Sequence, residues 1–172
     1  LLKARATVGA AMCATPLMMG AAAAQQATAT SPMSNAMKLP ISTKRRILGS
    51  AGSRREVSAL GFGVMGMNYN RGVHPDRKSM LELLRQAAER GVTLFDTAQV
   101  YGPLINEDLA GEGLYPFRGK VSVTTKFGHR IVDGKYIEGE LDSSPQNIRR
   151  VAEESLKRLR VETIELFYQH RL

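Results

Sequence analysis

The stretch F-D-T-A-Q-V-Y-G, from Phe95 to Gly102, decides the fold. It continues the short apolar run 92–95, which has the composition of a buried β-strand. The carboxylate of Asp96 comes where this run ends, and the phenol of Tyr101 follows five residues later. Polar groups at this position are typical of a parallel α/β fold, in which chemistry sits at the carboxyl ends of the strands.

Two more strand-like runs end in polar residues in the same way. They close in T-T-K-F-G (124–128) and in F-Y-Q-H-R (167–171). In a barrel of parallel strands, all carboxyl ends open on one face. We therefore expect four residues that are distant in sequence to converge in one pocket: Asp96, Tyr101, Lys126 and His170.

The elements around these runs alternate between strand and helix. Pro75-Asp76 is placed to start one helix, and Ser144 is placed to cap another, with Pro145 at its first position. Apolar residues at helical spacing follow the first of these starts, namely Met80, Leu83, Leu84 and Ala87. In chain order we predict a hairpin of 46–49 and 56–59, a strand 57–62, a helix from 75 to 91, a strand 92–95, a helix 106–114, a strand 121–125, a long polar loop 128–143, a helix from 144 and a strand 164–168.

This order predicts an α/β fold with a parallel sheet. A whole (β/α)8 TIM barrel takes about 250 residues, so the four strand units fit its N-terminal half, preceded by a β-hairpin. A doubly wound sheet is the competing fold. Gly61, Gly63 and Gly66 do not support it, because a polar loop follows them where a dinucleotide fingerprint needs a helix.

The four converging residues suit acid catalysis beside a hydride donor. A free tyrosine has a pKa near 10, and a nearby ammonium such as Lys126 would lower the pKa of Tyr101. Asp96 would hold that ammonium in place, and His170 would orient a carbonyl oxygen. A nicotinamide would supply the hydride. No His, Cys or carboxylate spacing indicates a metal site, and His74 and His129 are left as loop residues without a role.

The positive charge of the chain is concentrated in residues 1–58, which hold the N-terminal segment and the first predicted hairpin. Net charge is +8, yet residues 59–172 hold 16 basic and 15 acidic side chains. A nucleic-acid-binding body would carry its basic residues on a folded face, so we expect no nucleic-acid partner. The only cysteine, Cys13, precludes an intrachain disulfide.

Residues 1–24 have the composition of an export signal. Lys3 and Arg5 precede a weakly apolar stretch that ends in small residues, with a cleavage position after Ala24. Low hydrophobicity fits the twin-arginine route and argues against a stable membrane span. We expect a periplasmic or exported protein, with a cytoplasmic one as the alternative, a flexible linker over 25–43 and a barrel segment over 44–172.

The motifs D-T-A-x-x-Y-G, T-K-F-G and Y-Q-H-R together resemble the aldo-keto reductases, in particular bacterial members. The resemblance covers residues 46–172. It implies a TIM barrel closed at the bottom by a hairpin, NADP(H) bound without a Rossmann fold, and reduction of a small aldehyde or ketone. Carried over by position, it implies a proton donor in Tyr101, its activating pair in Lys126 and Asp96, a substrate-orienting residue in His170, and cofactor contacts in Asp96 and in the loop Gly63, Val64 and Met65.

The resemblance also limits what residues 1–172 can be expected to do. The later strands of the barrel, which hold the site for the 2′-phosphate in this family, are not in the sequence, and we expect a fragment that is inactive alone. The alternative function is a redox-sensing or regulatory module of the same fold, similar to potassium-channel β subunits. An export signal disfavours that alternative. The oligomeric state stays open.

Overall fold

The computed structural model describes residues 43–69 and 72–172. The expected export signal, its cleavage position and nearly all of the expected linker lie outside the described residues. In chain order the described strands and helices are β1 (Arg45–Leu48), β2 (Arg55–Ser58), β3 (Gly61–Gly63), α1 (Arg77–Glu89), β4 (Leu94–Asp96), α2 (Ile105–Leu114), β5 (Ser122–Phe127), β6 (His129–Val132), β7 (Lys135–Leu141), α3 (Pro145–Leu159) and β8 (Leu166–Gln169).

Four parallel strands form the central sheet, in the order β3-β4-β5-β8. The register places Gly63 beside Asp96 and Asp96 beside Thr124. On the next strand pair, Lys126 lies beside Tyr168. The predicted parallel α/β sheet is confirmed, and its register brings the carboxyl ends of all four strands to one edge.

Helices α1 and α3 begin where the sequence predicted helix starts. The Asp76 carboxylate accepts a hydrogen bond from the Ser79 backbone N–H at 3.0 Å, which satisfies one of the free donors at the start of α1. The Ser144 hydroxyl accepts from the Asn147 N–H in the same way at the start of α3. Helix α2 packs between α1 and α3.

The core lies between the sheet and this helical layer. Phe95 on β4, Leu84 on α1 and Leu109 on α2 are fully buried in it. Leu83, which the helical spacing also assigned to the buried stripe of α1, is half exposed. Gly111 allows the close approach of α2 to α3, because a Cβ there would stand 2.2 Å from the carbonyl oxygen of Arg158.

Two predictions of secondary structure were wrong. The strand predicted over 57–62 is interrupted, because the Ser58 hydroxyl donates to the carbonyl oxygen of Leu60 at 2.6 Å and the chain turns there from the hairpin into β3. The polar loop predicted over 128–143 is instead an antiparallel hairpin of β6 and β7. Its two-residue turn, Asp133-Gly134, has φ values of 49° and 72°. Asp-Gly is a strong hairpin signal, so this hairpin could have been predicted from the local sequence.

Candidate active site

Lys126 and Asp96 form an ion pair at the ends of two adjacent strands. The Lys126 Nζ lies 2.6 Å from Asp96 Oδ2 and also donates to the backbone carbonyl of Thr97 at 2.6 Å. Lys126 is 7% exposed, whereas the Asp96 side chain is 38% exposed. Two oxygens therefore fix the ammonium. The Asp96 carboxylate that supplies one of them is still partly exposed at the carboxyl ends of the strands.

Tyr101 is held over this pair by a tight turn after β4. Its backbone N–H donates to the Ala98 carbonyl at 3.1 Å, and its own carbonyl accepts from the Asn106 N–H at 3.2 Å. The next residue, Gly102, has a φ of 84°, and a Cβ there would stand 2.3 Å from the Ile105 side chain. Tyr101 is 8% exposed, and Lys126 Nζ lies 5.1 Å from the centre of its ring.

His170, which directly follows β8, is the fourth side chain of this group. Its backbone N–H donates to the Phe127 carbonyl at 2.9 Å, which anchors it beside the end of β5. The Nε2 atom lies 3.5 Å from the Tyr101 hydroxyl, and the two rings meet edge to face with centres 5.4 Å apart. The structure thus brings together all four side chains that the sequence placed at strand ends.

Burial sets the protonation states of Tyr101 and His170. It lowers the pKa of His170 to about 4, with further lowering from the Lys126 ammonium, so the imidazole is neutral at pH 7. Burial also raises the pKa of Tyr101, and the Asp96 carboxylate raises it further. This differs from the expectation that Lys126 would lower the pKa of Tyr101. The phenol therefore keeps its proton at neutral pH.

His129 is a member of this cluster that the sequence analysis left as a loop residue. It opens β6, and its ring centre lies 4.9 Å from that of His170 and 5.1 Å from that of Tyr136. Burial lowers its pKa, as does the positive charge of Arg171. The signal that could have found it is again the Asp-Gly turn, because the hairpin that it closes carries His129 back onto the end of β5.

The loop after β3 is clamped beside Asp96. The Val64 N–H donates to the Asp96 carbonyl at 2.9 Å, and the Val64 carbonyl accepts from the Asn106 side chain at 3.0 Å. Asn106 is itself fixed, because its Oδ1 accepts a hydrogen bond from the Thr97 hydroxyl at 2.6 Å. Gly63 precedes this clamp, Met65 follows it, and a Cβ on Gly63 would meet no atom within 4 Å.

The described residues contain neither a metal-binding cluster nor a membrane-spanning helix. In 43–69 and 72–172, no group of three or more His, Cys, Asp or Glu side chains is arranged to hold a metal ion. Within the same two ranges, every helix is too short or too polar to cross a membrane.

The chain is similar to known proteins over the region that carries this cluster. Residues 59–172 match the model of the aldo/keto reductase family. "Probable aldo-keto reductase 1" from Glycine max is 40% identical over 118 residues, which cover 68% of this chain and 34% of that protein. The chain therefore spans about one third of the length of this curated relative.

Solved structures of the same family superpose on the described fold. Aldo-keto reductase AKR11C1 from Bacillus halodurans, in its holo form, aligns with a TM-score of 0.62 and 30% identity, over 72% of this chain and 39% of that one. Glycerol dehydrogenase AKR11B4 from Gluconobacter oxydans aligns with a TM-score of 0.59 and 33% identity, over 72% and 37%. The strand order, the register and these matches agree: the chain belongs to the aldo/keto reductase family and forms part of its (β/α)8 barrel.

Proposed function

We propose that the protein carrying this chain is an NADP-dependent reductase of small aldehydes or ketones, in which Tyr101 donates the proton. The observation that carries the proposal is the Tyr101 hydroxyl, which is protonated at neutral pH and 3.5 Å from the neutral His170 imidazole. A carbonyl oxygen that gains a hydride needs a proton, and a phenol beside a hydrogen-bonding imidazole is suited to supply it.

Each side chain has a separate task in this proposal. His170 contacts the carbonyl oxygen and turns it toward the Tyr101 hydroxyl. As Tyr101 loses its proton, negative charge develops on its oxygen, and the Lys126 ammonium near its ring stabilises that charge. Asp96 keeps the ammonium in place through the 2.6 Å ion pair. The arrangement stabilises the transition state more than the resting state, in which the phenol is neutral.

The residues present fit a nicotinamide cofactor. Gly63 leaves open space at the end of β3. Val64 is fixed there because its N–H donates to the Asp96 carbonyl and its own carbonyl accepts from the Asn106 side chain. The nicotinamide would be held at the carboxyl ends of β3 and β4, by Gly63, Val64, Met65 and Asp96. When bound, the cofactor supplies the hydride.

We propose further that turnover requires a complete barrel. In the described residues, β3 and β8 are the two edges of an open sheet. At the other end of the sheet, a cavity of about 910 Å³ is lined by apolar residues such as Leu114 and Val121 together with charged ones such as Arg118. Open strand edges and uncovered apolar surface favour aggregation over a stable fold. Residues 1–172 expressed alone should therefore show neither turnover nor cooperative unfolding.

The experiment that tests the function measures NADPH consumption by the protein with its complete barrel, against a panel of small aldehydes, ketones and quinones. Tyr101→Phe should reduce kcat by about 10²- to 10⁴-fold, the usual contribution of a general acid, with NADPH binding retained. Tyr115→Phe is the matched control, because it removes a tyrosine hydroxyl from a half-exposed side chain outside the cluster.

Four results would count against this proposal in different ways. Full activity in Tyr101→Phe would remove Tyr101 as the acid. Equal losses in the Tyr101 and Tyr115 variants would indicate a general effect on folding. NADPH binding without turnover on any member of the panel would favour the redox-sensing or regulatory module. Binding NAD as tightly as NADP would overturn the cofactor preference.

A further inference from the structure

The Asp96 carboxylate receives three hydrogen bonds from three side chains. Lys126 Nζ donates to Oδ2, as described above, at 2.6 Å. The other oxygen, Oδ1, accepts from the Thr124 hydroxyl at 2.6 Å and from the Tyr168 hydroxyl at 2.7 Å. The two oxygens therefore have separate partners, an ammonium on one side and two hydroxyls on the other.

Tyr168 reaches Asp96 across an intervening strand. It lies on β8, in register with Lys126 on β5, while Asp96 lies beyond on β4. Lys126 Nζ lies 5.2 Å from the centre of the Tyr168 ring and 5.1 Å from the centre of the Tyr101 ring. The side chain thus contacts both members of the ion pair, the cation through its ring and the anion through its hydroxyl.

We propose that Tyr168 is a positioning residue of the reaction, whose hydroxyl holds Asp96 Oδ1 so that Oδ2 stays on Lys126. This inference rests on the proposed function. The carboxylate needs such support because its side chain is 38% exposed, and water at that exposed edge competes for its oxygens. A carboxylate restrained only by Lys126 would be free to rotate about its terminal bond.

The Tyr168 hydroxyl is suited to holding a carboxylate and unsuited to exchanging protons. Burial raises its pKa well above the ordinary value, and the hydrogen bond to Asp96 raises it further. It therefore stays protonated, and remains a donor, at neutral pH. Its contribution reaches the reacting atoms only through Asp96 and Lys126.

Because this support acts on Lys126, its loss should affect the proton-transfer step and leave binding of the carbonyl unchanged. In the protein with its complete barrel, Tyr168→Phe should lower kcat about tenfold, with KM for the carbonyl within about twofold of wild type. A tenfold loss corresponds to about 1.4 kcal/mol, within the range for one hydrogen bond to a charged group.

Thr124 provides a conservative rescue test for the same oxygen. Thr124→Val removes the second hydroxyl and should lower kcat in the same direction, whereas Thr124→Ser keeps a hydroxyl and should restore most of it. Tyr115→Phe again serves as the control for removing a phenol hydroxyl, with kcat and KM unchanged. Equal kcat in wild type and Tyr168→Phe, or a rise in KM with kcat unchanged, would overturn the inference.

A spectroscopic measurement tests the contact without turnover. With ¹³Cζ-labelled tyrosine, the Tyr168 resonance should move in Asp96→Asn, because the hydroxyl then faces a neutral amide. An unmoved resonance would overturn the inference. A wild-type protein that reduces no substrate would overturn the proposed function, and the labelled spectrum would still report whether Tyr168 binds Asp96. Turnover that survives intact in Tyr168→Phe would overturn the positioning role alone.

Discussion

Glu107 on α2 and Arg158 on α3 form an ion pair in which the Glu107 side chain is fully buried. The Arg158 Nε lies 2.7 Å from Glu107 Oε2, and the Glu107 side chain is 0% exposed. The other carboxylate oxygen accepts from the Thr125 hydroxyl at 2.6 Å. One carboxylate thus joins two helices to β5, the strand that carries Lys126.

Removing the charge of Glu107 should destabilise the fold strongly. Glu107→Gln leaves the largely buried Arg158 guanidinium with only the more distant carboxylate of Glu154, 3.7 Å away, and breaking a buried ion pair typically costs about 3–5 kcal/mol. We expect the free energy of unfolding, measured with urea in the protein with its complete barrel, to fall by about that amount. Glu112→Gln is the control, because the ion pair between Glu112 and Arg77 is at the surface, and its loss should cost less than about 1 kcal/mol.

Gly111→Ala should separate α2 from α3. The new Cβ would stand 2.2 Å from the Arg158 carbonyl oxygen and 2.8 Å from the Leu159 backbone, and backbone atoms of a packed helix cannot move aside alone. We expect a loss of about 1–3 kcal/mol in the free energy of unfolding, despite the higher helix propensity of alanine. Gly52→Ala, where a Cβ meets nothing within 4 Å, should leave stability nearly unchanged. Equal effects of the two substitutions would contradict this account.

Lowering the pH should destabilise the protein through His170. Its pKa is about 4 in the folded chain against an ordinary 6.5, so between these values the unfolded chain binds a proton that the folded chain does not. Stability from this group therefore falls as the pH drops from about 6.5 to about 4, and is unaffected above that window. The check is urea unfolding across this range. His170→Gln should show a shallower loss, and a pKa near 6.5 for His170 by NMR would refute the prediction.

The Asp133-Gly134 turn should control the placement of His129. Gly134 has a φ of 72°, where a β-branched side chain is strained by about 1–3 kcal/mol. Gly134→Val should loosen the β6–β7 hairpin and weaken the ring contact between His129 and His170, measured as a loss of the NOE between their ring protons. Asp133→Asn should preserve it, because asparagine tolerates the left-handed region. An unchanged NOE in Gly134→Val would show that the turn does not position His129.

Local patterns in the sequence were enough to predict the order of elements. The helix starts at Asp76 and Ser144 and the apolar runs each depend on a few adjacent residues, so their structures could be predicted correctly. The missed hairpin was also local, through Asp133-Gly134. The interruption at Ser58 was not, because that residue also exchanges hydrogen bonds with Thr93, which lies 35 residues away and just before β4.

The sequence by itself therefore determined a parallel α/β sheet with polar residues at its strand ends, and it nominated Asp96, Tyr101, Lys126 and His170. Only the tertiary structure decided that Tyr168, 72 positions from Asp96, bonds to its carboxylate, and that His129 lies against His170. The physical reason is that these interactions act over different separations along the chain. Capping and periodicity act within a few residues, whereas side-chain contacts between strands depend on strand order and register, which the packing of the whole sheet fixes.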